Sequence, residues 1–367
     1  LVDLSPTDVN IPSCDAVDVA SYQSWMKQED FNGLKAQGVK TIVVKLSEGT
    51  YYTNPYANAQ IKMAQNAGLN IATYHYAIFG NTNNQTTANH AAIAEADYYA
   101  QAAQKLGLST AITMVEDAEN SGTISSVWTQ ASQNFQSELS KKGYHNVKFY
   151  TSQSWATNGS MNSSTLGAKN FWVAQYLYGK PETNPTGWAN TLKNNAQFGA
   201  WQYTSQMRYS GTNLQKNVLD TSTSYETFFS NIKLNGMTWI NHNQSLTDFG
   251  ISYSSTDPVT FTWQVYDIQN KTWTTIAKDT SSNWISYQFQ KSGQYLIYVS
   301  AITLSGNSST FSIGWNVQSS LFFRGMTWIN HSNSLTDFGI AYSSSLPINF
   351  TWKIYDIQHK TWTTIAQ

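Results

Sequence analysis

Short apolar runs alternate with longer amphipathic segments along the first two thirds of the chain. Ala16 to Val19, Thr41 to Gly49 and Ile71 to Ala77 have the length of buried strands. Tyr56 to Ala67 and Ala88 to Leu106 follow such runs, and each is long enough for a helix. Because strands and helices alternate, the pattern predicts a parallel sheet covered by helices.

The same alternation continues as far as residue 232. A helix is predicted at Val127 to Lys142, and the remaining apolar runs are predicted as strands: Ala111 to Val115, Val147 to Ser152, Phe171 to Tyr176, Phe198 to Ser205 and a short last strand that ends near Asp220. Eight strands with mainly helical connections predict a parallel α/β barrel of the irregular TIM-like (β/α) kind over residues 1–232. Its final third is expected to be the least regular part.

The pattern changes to short alternating stretches divided by Ser, Asn, Gly and Pro beyond residue 232. GMTWIN at Gly236 to Asn241 returns at Gly325 to Asn330, which gives a tandem repeat with a period of 89 residues. About seven strands per copy predict all-β, immunoglobulin-like sandwich modules at residues 233–322 and 323–367. The second copy stops at Gln367, so we expect the natural chain to continue or the half-copy to pack on a neighbour.

Composition excludes several classes of partner and cofactor. Charged residues make up 12% of the chain and the net charge is −1. The chain therefore has no excess of basic residues that would bind nucleic acid or an anionic membrane. No apolar run is long enough to span a bilayer. The single cysteine, Cys14, excludes an internal disulfide, and neither metal-ligand spacings nor nucleotide-binding loops occur. The sequence therefore predicts no metal and no cofactor.

The candidate chemistry lies where the fifth apolar run ends. Asp117 and Glu119 follow Val115, and because side chains alternate along a strand they are predicted to point the same way, with Glu116 opposite. Two carboxyl groups on one face are the smallest set of catalytic groups that a glycosidase needs. A polar strand exit, or an N-cap for the following helix, remains an equally simple interpretation of these residues alone.

Polar residues also follow the other predicted strands, where a barrel places its chemistry. They are Asp18, Glu48, Tyr74, His75, Asp117, Glu119, Tyr150, Gln175, Gln202 and Asp220. Single members are weak evidence, because His75 within Y-H-Y also fits a hydrogen-bonded core position and Glu48 before Gly49 also fits a turn. Acidic groups at several strand ends of one barrel favour a site.

Six motifs stand in register with one enzyme family: D-V-A-S-Y-Q, K-L-S-E-G-T, T-Y-H-Y-A, V-E-D-A-E, W-V-A-Q-Y and W-Q-Y-T-S. In order and spacing they resemble the family-25 glycoside hydrolases, which are lysozymes of the N-acetylmuramidase type found among phage endolysins and bacterial autolysins. The resemblance covers about Asp15 to Ile232. The sequence departs from the family pattern at Ala20, where Ser is frequent, and at Leu219 to Thr221, where D-x-N is usual.

The resemblance implies roles for residues at matching positions. It implies Glu119 as catalytic acid with Asp117 as its carboxylate partner, and Asp18 and Asp220 as further acidic residues of the cleft. It also implies sugar subsites lined by Tyr74, Tyr150, Trp172, Gln175 and Trp201. Strand-end position adds Glu48, His75 and Gln202 to the candidate substrate-binding residues.

The expected reaction is cleavage of the β-1,4 bond between N-acetylmuramic acid and N-acetylglucosamine in peptidoglycan. One carboxyl must stay protonated near neutral pH to donate to the leaving oxygen, and neighbouring carboxylates achieve this by mutual repulsion. With Glu119 as acid and Asp117 charged, no carboxylate is evident on the far side of the sugar. We therefore expect substrate-assisted, retaining catalysis by the acetamido group.

The tail is expected to bind the cell wall, including wall polysaccharides other than peptidoglycan, and a passive spacer is the alternative. Seven Lys or Arg against six Asp exclude adhesion by bulk charge, but eight of the 14 Trp lie there. Its aromatic spacing is similar to triple-tyrosine-type repeats of secreted wall proteins. Because the chain begins at Leu1 without Met, we expect a secreted or wall-associated protein, or a phage protein released at lysis.

Two alternatives for the whole chain remain open at this point. One is a non-catalytic wall-binding or adhesion protein on a lysozyme-like barrel, against which the intact D-x-E pair argues. The other is a chitinase, whose D-x-x-D-x-D-x-E run is absent, because T-M-V-E precedes Asp117.

Overall fold

The computed structural model describes residues 2–225, 227–243, 246–255, 257–304, 306–318, 321–331, 336–344 and 346–366. The chain divides into two compact units. The first comprises Leu1–Lys233 with the segments Ser254–Val259 and Ile302–Ser309, and the second comprises the remaining residues from Leu234 onward. No helix in these described stretches is both long and apolar enough to cross a membrane.

The first unit is a closed barrel with helices outside it. Its sheet is built from the strands β1 (Ala16–Val19), β2 (Thr41–Glu48), β3 (Tyr52–Thr53), β4 (Asn70–Tyr76), β5 (Thr113–Asp117), β6 (Val147–Ser152), β7 (Phe171–Ala174), β8 (Ala200–Met207) and β9 (Leu219–Ser224). The helices are α1 (Gln28–Ala36), α2 (Ala57–Asn66), α3 (Gln85–Lys105), α4 (Ser125–Lys141), α5 (Gln153–Asn158), α6 (Ser163–Leu166) and α7 (Pro185–Asn195). The predicted alternation of strands and helices is confirmed.

Strand β9 corrects the prediction of a fully parallel barrel. The short β3 is antiparallel to β2 at the edge of the sheet. The other neighbours from β1 through β8 pair in parallel, but β9 is antiparallel to both β8 and β1, and these pairings close the ring. A parallel return normally needs a crossover of a dozen residues or more, usually helical. The link from Met207 to Leu219 holds only a short 3₁₀ turn at Leu214–Lys216, so the chain turns back instead.

Side-chain alternation divides the barrel strands into two faces. The inner face is apolar at its centre, where the residues are small or aromatic: Ala16, Val43, Ala72, Val115, Tyr150, Trp172, Ala200, Phe228 and Phe229. Outward residues such as Ile42, Phe149 and Trp201 pack with the helices in the larger core. Because the period is two, each inward strand residue has its next inward neighbour two positions later, nearer the strand's end.

The loop after β4 is held by a carboxylate from α3. The Glu95 oxygens accept hydrogen bonds from the backbone N–H groups of Ile78 at 2.9 Å and Phe79 at 2.7 Å. Glu95 is 3% exposed. A buried carboxylate with backbone donors fixes the loop, whose Phe79 ring contacts Trp128 of α4 at a centroid distance of 5.0 Å.

The second unit is built from β-strands. Within the first repeat, β10 (Ile232–Asn243), β11 (Leu246–Ser255) and β14 (Trp284–Gln288) form a three-stranded sheet. A four-stranded sheet has the order β13 (Thr272–Thr280), β12 (Val259–Asp267), β15 (Gly293–Thr303) and β16 (Ser308–Val317). The pairs β11 with β14 and β12 with β13 are antiparallel. The ring of Phe249 from the smaller sheet meets Trp315 from the larger at 5.3 Å, so the two sheets share a core.

The second repeat has two hairpins among its described residues. Strands β17 (Leu321–His331) and β18 (Thr336–Ser344) form one, and β19 (Trp352–Asp356) and β20 (Thr361–Ala366) form the other. In the first repeat, β13 pairs with β12 and not with β14, whereas a constant-type immunoglobulin domain puts its fourth strand on the other sheet. The all-β character of the tail is confirmed, while the immunoglobulin-like assignment stays a prediction.

Replacing Glu95 should destabilise the barrel unit measurably. Glu95→Ala leaves two buried N–H groups without their acceptor, which costs about 3 kcal/mol in the free energy of unfolding. Asp97→Ala, on the same helix, removes a surface ion pair with Lys142 at 2.9 Å and should cost under about 1 kcal/mol. Urea unfolding of both variants measures this, and equal losses would contradict the role given to Glu95.

Candidate active site

One cavity opens at the end of the barrel where the parallel strands terminate. Its volume is about 400 Å³, including space open to solvent. Eight side chains line it: Asp18, Tyr74, Asp117, Glu119, Tyr150, Trp172, Gln202 and Asp220. All eight are residues that the sequence proposed for the site, so the structure brings the four acidic candidates and four of the substrate-binding candidates together.

Strand direction explains how Asp220 joins the other acidic residues. Asp18 and Asp117 stand near the carboxyl ends of β1 and β5. Asp220 instead stands at the beginning of β9. Because β9 is antiparallel to its neighbours, its beginning lies at the same end of the barrel. The expectation that a strand ends near Asp220 is therefore wrong, although the residue still reaches the cavity.

Asp117 and Glu119 form the carboxyl pair at the exit of β5. Asp117 is 6% exposed, whereas Glu119 lies just beyond the strand and is exposed to the cleft. Burial and then the charge of Glu119 raise the pKa of Asp117 well above its usual range. Burial also raises the pKa of Glu119, against the lowering effect of the Lys45 charge. Both directions favour a proton retained by the pair as a whole. That Asp117 is the charged member of the pair stays a prediction.

Asp18 and Asp220 form a second acidic pair, on the neighbouring strands β1 and β9. Burial and the charge of Asp220 raise the pKa of Asp18 well above its usual range. Burial raises the pKa of Asp220 to about 6, and a hydrogen bond with Asp18 opposes that rise. The pair as a whole therefore retains a proton above the ordinary range of aspartate, and the pKa of Asp220 is about 6.

Gln202 connects the second pair to the tyrosines of the cleft. Its Nε2 donates to Asp18 Oδ1 at 2.9 Å, while its Oε1 accepts from the hydroxyls of Tyr150 at 2.8 Å and Tyr176 at 2.6 Å. The amide orientation is consistent, since the oxygen receives two O–H donors and the nitrogen faces a carboxyl. These bonds fix one wall of the cavity.

Aromatic rings form the remaining wall. The ring of Tyr150 meets Trp172 at a centroid distance of 4.6 Å, and Trp172 Nε1 donates to Ser222 Oγ at 2.9 Å. Tyr74 is packed beside them on the inner face. Tyr150 and Trp172 are only 9% and 3% exposed, so these rings give the cavity a rigid, largely apolar wall with the Tyr150 hydroxyl as a polar group.

Four residues proposed for substrate binding lie outside the cavity lining. His75 and Trp201 are fully buried on the outer face of the sheet. The His75 ring contacts Tyr99 at 5.3 Å, and its nitrogens contact Ser47 Oγ at 2.9 Å and Glu95 Oε2 at 3.0 Å. Both placements correct the sequence prediction, because an outward, fully buried side chain cannot contact a sugar.

Gln175 and Glu48 are also absent from the cavity lining. Gln175 Oε1 accepts from Asn195 Nδ2 at 2.9 Å, at the end of α7. Glu48 Oε2 contacts Lys45 Nζ at 2.6 Å, and Glu48 Oε1 accepts from the Tyr51 hydroxyl at 2.8 Å. Partial burial opposes ionisation of Glu48, but these bonds dominate and lower its pKa. Neither residue lines the cavity, and their predicted sugar contacts stay predictions.

Two residues beside the cavity escaped the sequence analysis. Tyr176 bonds to Gln202, as described, and Lys45 places a positive charge beside the acidic pair. Alternation from Val43, an inward residue, predicts that Lys45 also points inward, so a signal for it exists in the sequence.

Glu116 lies on the outer face of β5, opposite to Asp117, as predicted. Ser132 Oγ donates to it at 2.5 Å, and burial raises its pKa to about 8.

No metal site accompanies the acidic cluster. Within the described ranges, no group of three or more His, Cys, Asp and Glu side chains is arranged to hold a metal ion. The arrangement can donate a proton, stabilise positive charge through a carboxylate and bind a ring on aromatic faces.

Comparison with known proteins places this site in a family. Residues 17–212 match the model for glycosyl hydrolases family 25. An N,O-diacetylmuramidase from Chalaropsis sp is 27% identical over 205 residues, covering 53% of this chain and 90% of that protein.

Solved structures with similar folds include the spore cortex lytic enzyme SleM of Clostridium perfringens and a family 25 glycosyl hydrolase of Bacillus anthracis. The first has a TM-score of 0.46 at 14% identity and covers 84% of this chain and 100% of that one. The second has a TM-score of 0.45 at 19% identity and covers 60% of this chain and 92% of that one. Since the family model spans more than half of the sequence, the chain belongs to glycosyl hydrolases family 25 and is a glycoside hydrolase of the lysozyme type.

Proposed function

We propose that the protein is a muramidase, which cleaves the β-1,4 bond between N-acetylmuramic acid and N-acetylglucosamine in bacterial peptidoglycan. The observation that carries this proposal is the Asp117 and Glu119 pair at the mouth of a cavity lined by carboxyl and aromatic side chains. Membership of family 25 and the similarity to a muramidase support the same substrate. Chitinase and non-catalytic binding are the rival functions.

Glu119 is the proton donor in this mechanism. Of the pair it is the exposed member, so a glycosidic oxygen can reach it, whereas Asp117 is buried beneath. The proton that the pair shares moves to Glu119 and then to the leaving oxygen as the C–O bond breaks. Asp117 is left ionised, and its carboxylate stabilises the positive charge that develops on the sugar.

The nucleophile is the substrate's own acetamido oxygen. It attacks the anomeric carbon as the leaving group departs, and this attack forms a cyclic oxazolinium ion. Asp117 orients the acetamido group by accepting a hydrogen bond from its N–H. Water then attacks the same carbon and gives a proton to Glu119, while the bond from that carbon to the acetamido oxygen breaks and the acetamide is restored. The two inversions retain the configuration. Asp18 and Asp220 bind the acetamido group or orient the water.

The tail is proposed to bind the cell wall through repeated aromatic pairs. Tyr266 and Trp273 face each other across two strands with a ring separation of 4.8 Å. The pair recurs 89 residues later as Tyr355 and Trp362, at 4.9 Å. The two tryptophans are 51% and 66% exposed, so flat ring surface is available for stacking on a sugar.

Removing the proton donor should abolish turnover. Glu119→Gln keeps the side chain's size but cannot donate a proton, so we expect kcat to fall by about 10² to 10⁴. Glu116→Gln is the matched control, because its carboxyl lies on the other face of β5 and should leave the pH–rate profile unchanged. More than about a tenth of the wild-type rate in Glu119→Gln would exclude it as the general acid.

The products should identify both the bond and the stereochemistry. Digestion of purified peptidoglycan should create new muramic acid reducing ends, detected by mass spectrometry, and proton NMR at early times should show the β-anomer first. New glucosamine ends would contradict muramidase activity. The α-anomer first would contradict retention and would favour a water activated by Asp18 or Asp220.

Wall binding by the tail is tested in the whole chain, because the first unit includes segments 254–259 and 302–309 that truncation near residue 233 would remove. Trp273→Ala with Trp362→Ala should weaken sedimentation with bare cell walls at least about tenfold and leave turnover of soluble glycan fragments unchanged. Thr274→Ala with Thr363→Ala, on the same strands, is the control. Undiminished wall binding by the folded tryptophan variant would favour the spacer alternative.

A further inference from the structure

Lys45 lies inside the acidic end of the barrel. Its strand register pairs it with Tyr74, which lines the cavity, and Tyr76 on the same neighbouring strand pairs with Asp117. Two positions earlier, Val43 belongs to the apolar inner face, so alternation points Lys45 inward. The side chain is only 13% exposed. A buried ammonium group at this position needs specific partners.

The contacts around Lys45 hold its ammonium group in one place. Nζ is 2.6 Å from Glu48 Oε2, and it lies 5.5 Å and 5.1 Å from the ring centroids of Tyr52 and Tyr76. The Tyr51 hydroxyl in turn donates to Glu48 at 2.8 Å. Lysine is otherwise a flexible point charge, and two rings with one carboxylate restrict it.

Carboxyl groups face this cation from several elements. Glu48 contacts it from its own strand. Asp117 and Glu119 lie at the end of β5, where burial raises the pKa of both groups and the Lys45 charge opposes that rise. Asp18 and Asp220 complete the acidic set from β1 and β9. The tyrosines on β3 and β4 are the remaining titratable neighbours: Tyr52, Tyr74 and Tyr76.

We propose that Lys45 is a positioning residue which sets how many protons the carboxyl pair Asp117 and Glu119 holds at neutral pH. The inference rests on the catalytic roles proposed for that pair. Burial and mutual repulsion favour one proton on each carboxyl, which would leave Asp117 neutral and unable to stabilise the developing charge. The fixed cation offsets this and keeps the pair at a single shared proton. Glu48 moderates the effect, because its carboxylate neutralises part of the same charge.

The pH dependence of kcat/KM tests the proposal. On the acidic limb of the kcat/KM profile, the Asp117 and Glu119 pair loses its first proton and becomes singly protonated. On the basic limb, it loses the remaining proton. Lys45→Met removes the cation, so both pKa values rise, and both limbs should move to higher pH by about one unit. Lys45→Arg keeps a cation and should restore the wild-type limbs.

Glu48→Gln supplies the opposite test. Removing this carboxylate frees the Lys45 charge to act on the pair, so both limbs should move to lower pH, and this variant remains informative if Lys45→Met fails to fold. A structural defect alone would lower the rate without moving the limbs in opposite directions. Limbs that stay in place in both Lys45→Met and Glu48→Gln would overturn the inference. High activity of Glu119→Gln would instead overturn the proposed function, so the two failures are distinguishable.

Discussion

Burial of several carboxyl groups at one end of a closed barrel is the constraint on which the site depends. The strands alternate inward and outward residues, so the inward positions beyond an apolar centre at Val43, Ala72 and Val115 must face each other across a narrow space. In this chain those positions carry acids, a lysine and tyrosines. Mutual repulsion and poor solvation then retain protons that isolated carboxylates would lose near pH 4.

The rest of the structure can be understood as support for that arrangement. Gln202 ties Asp18 to two tyrosines, and Trp172 is anchored to Ser222, so the cavity walls keep their shape without substrate. Behind the sheet, Glu95 secures the loop after β4, and its Oε2 lies 3.0 Å from His75 Nε2. These outward contacts are structural, and they let the inner face carry groups that would otherwise destabilise a core.

Much of the first unit could be predicted because its strands are apolar and its helices amphipathic. The direction of β9 was missed, although the short link after Met207 could have indicated it. His75 and Trp201 were misassigned because neither the family resemblance nor a position at a strand end shows whether a side chain points into the barrel or outward. Tyr74 and Gln202, one residue away from them, face inward, so alternation alone separates the two sets. Lys45 was missed although it opens the K-L-S-E-G-T motif, because only alternation from Val43 shows that its side chain points inward.

Proton occupancy of the carboxyl groups tests the central claim most directly. NMR of the protein labelled with ¹³C at the Asp and Glu carboxyl groups can follow each signal with pH, and single Asn or Gln substitutions assign them. We expect Asp220 to titrate near pH 6, and Asp18 and Asp117 to titrate well above the ordinary range of aspartate, with coupled curves for each pair. Titration of all four cavity carboxyls near pH 4 would contradict it.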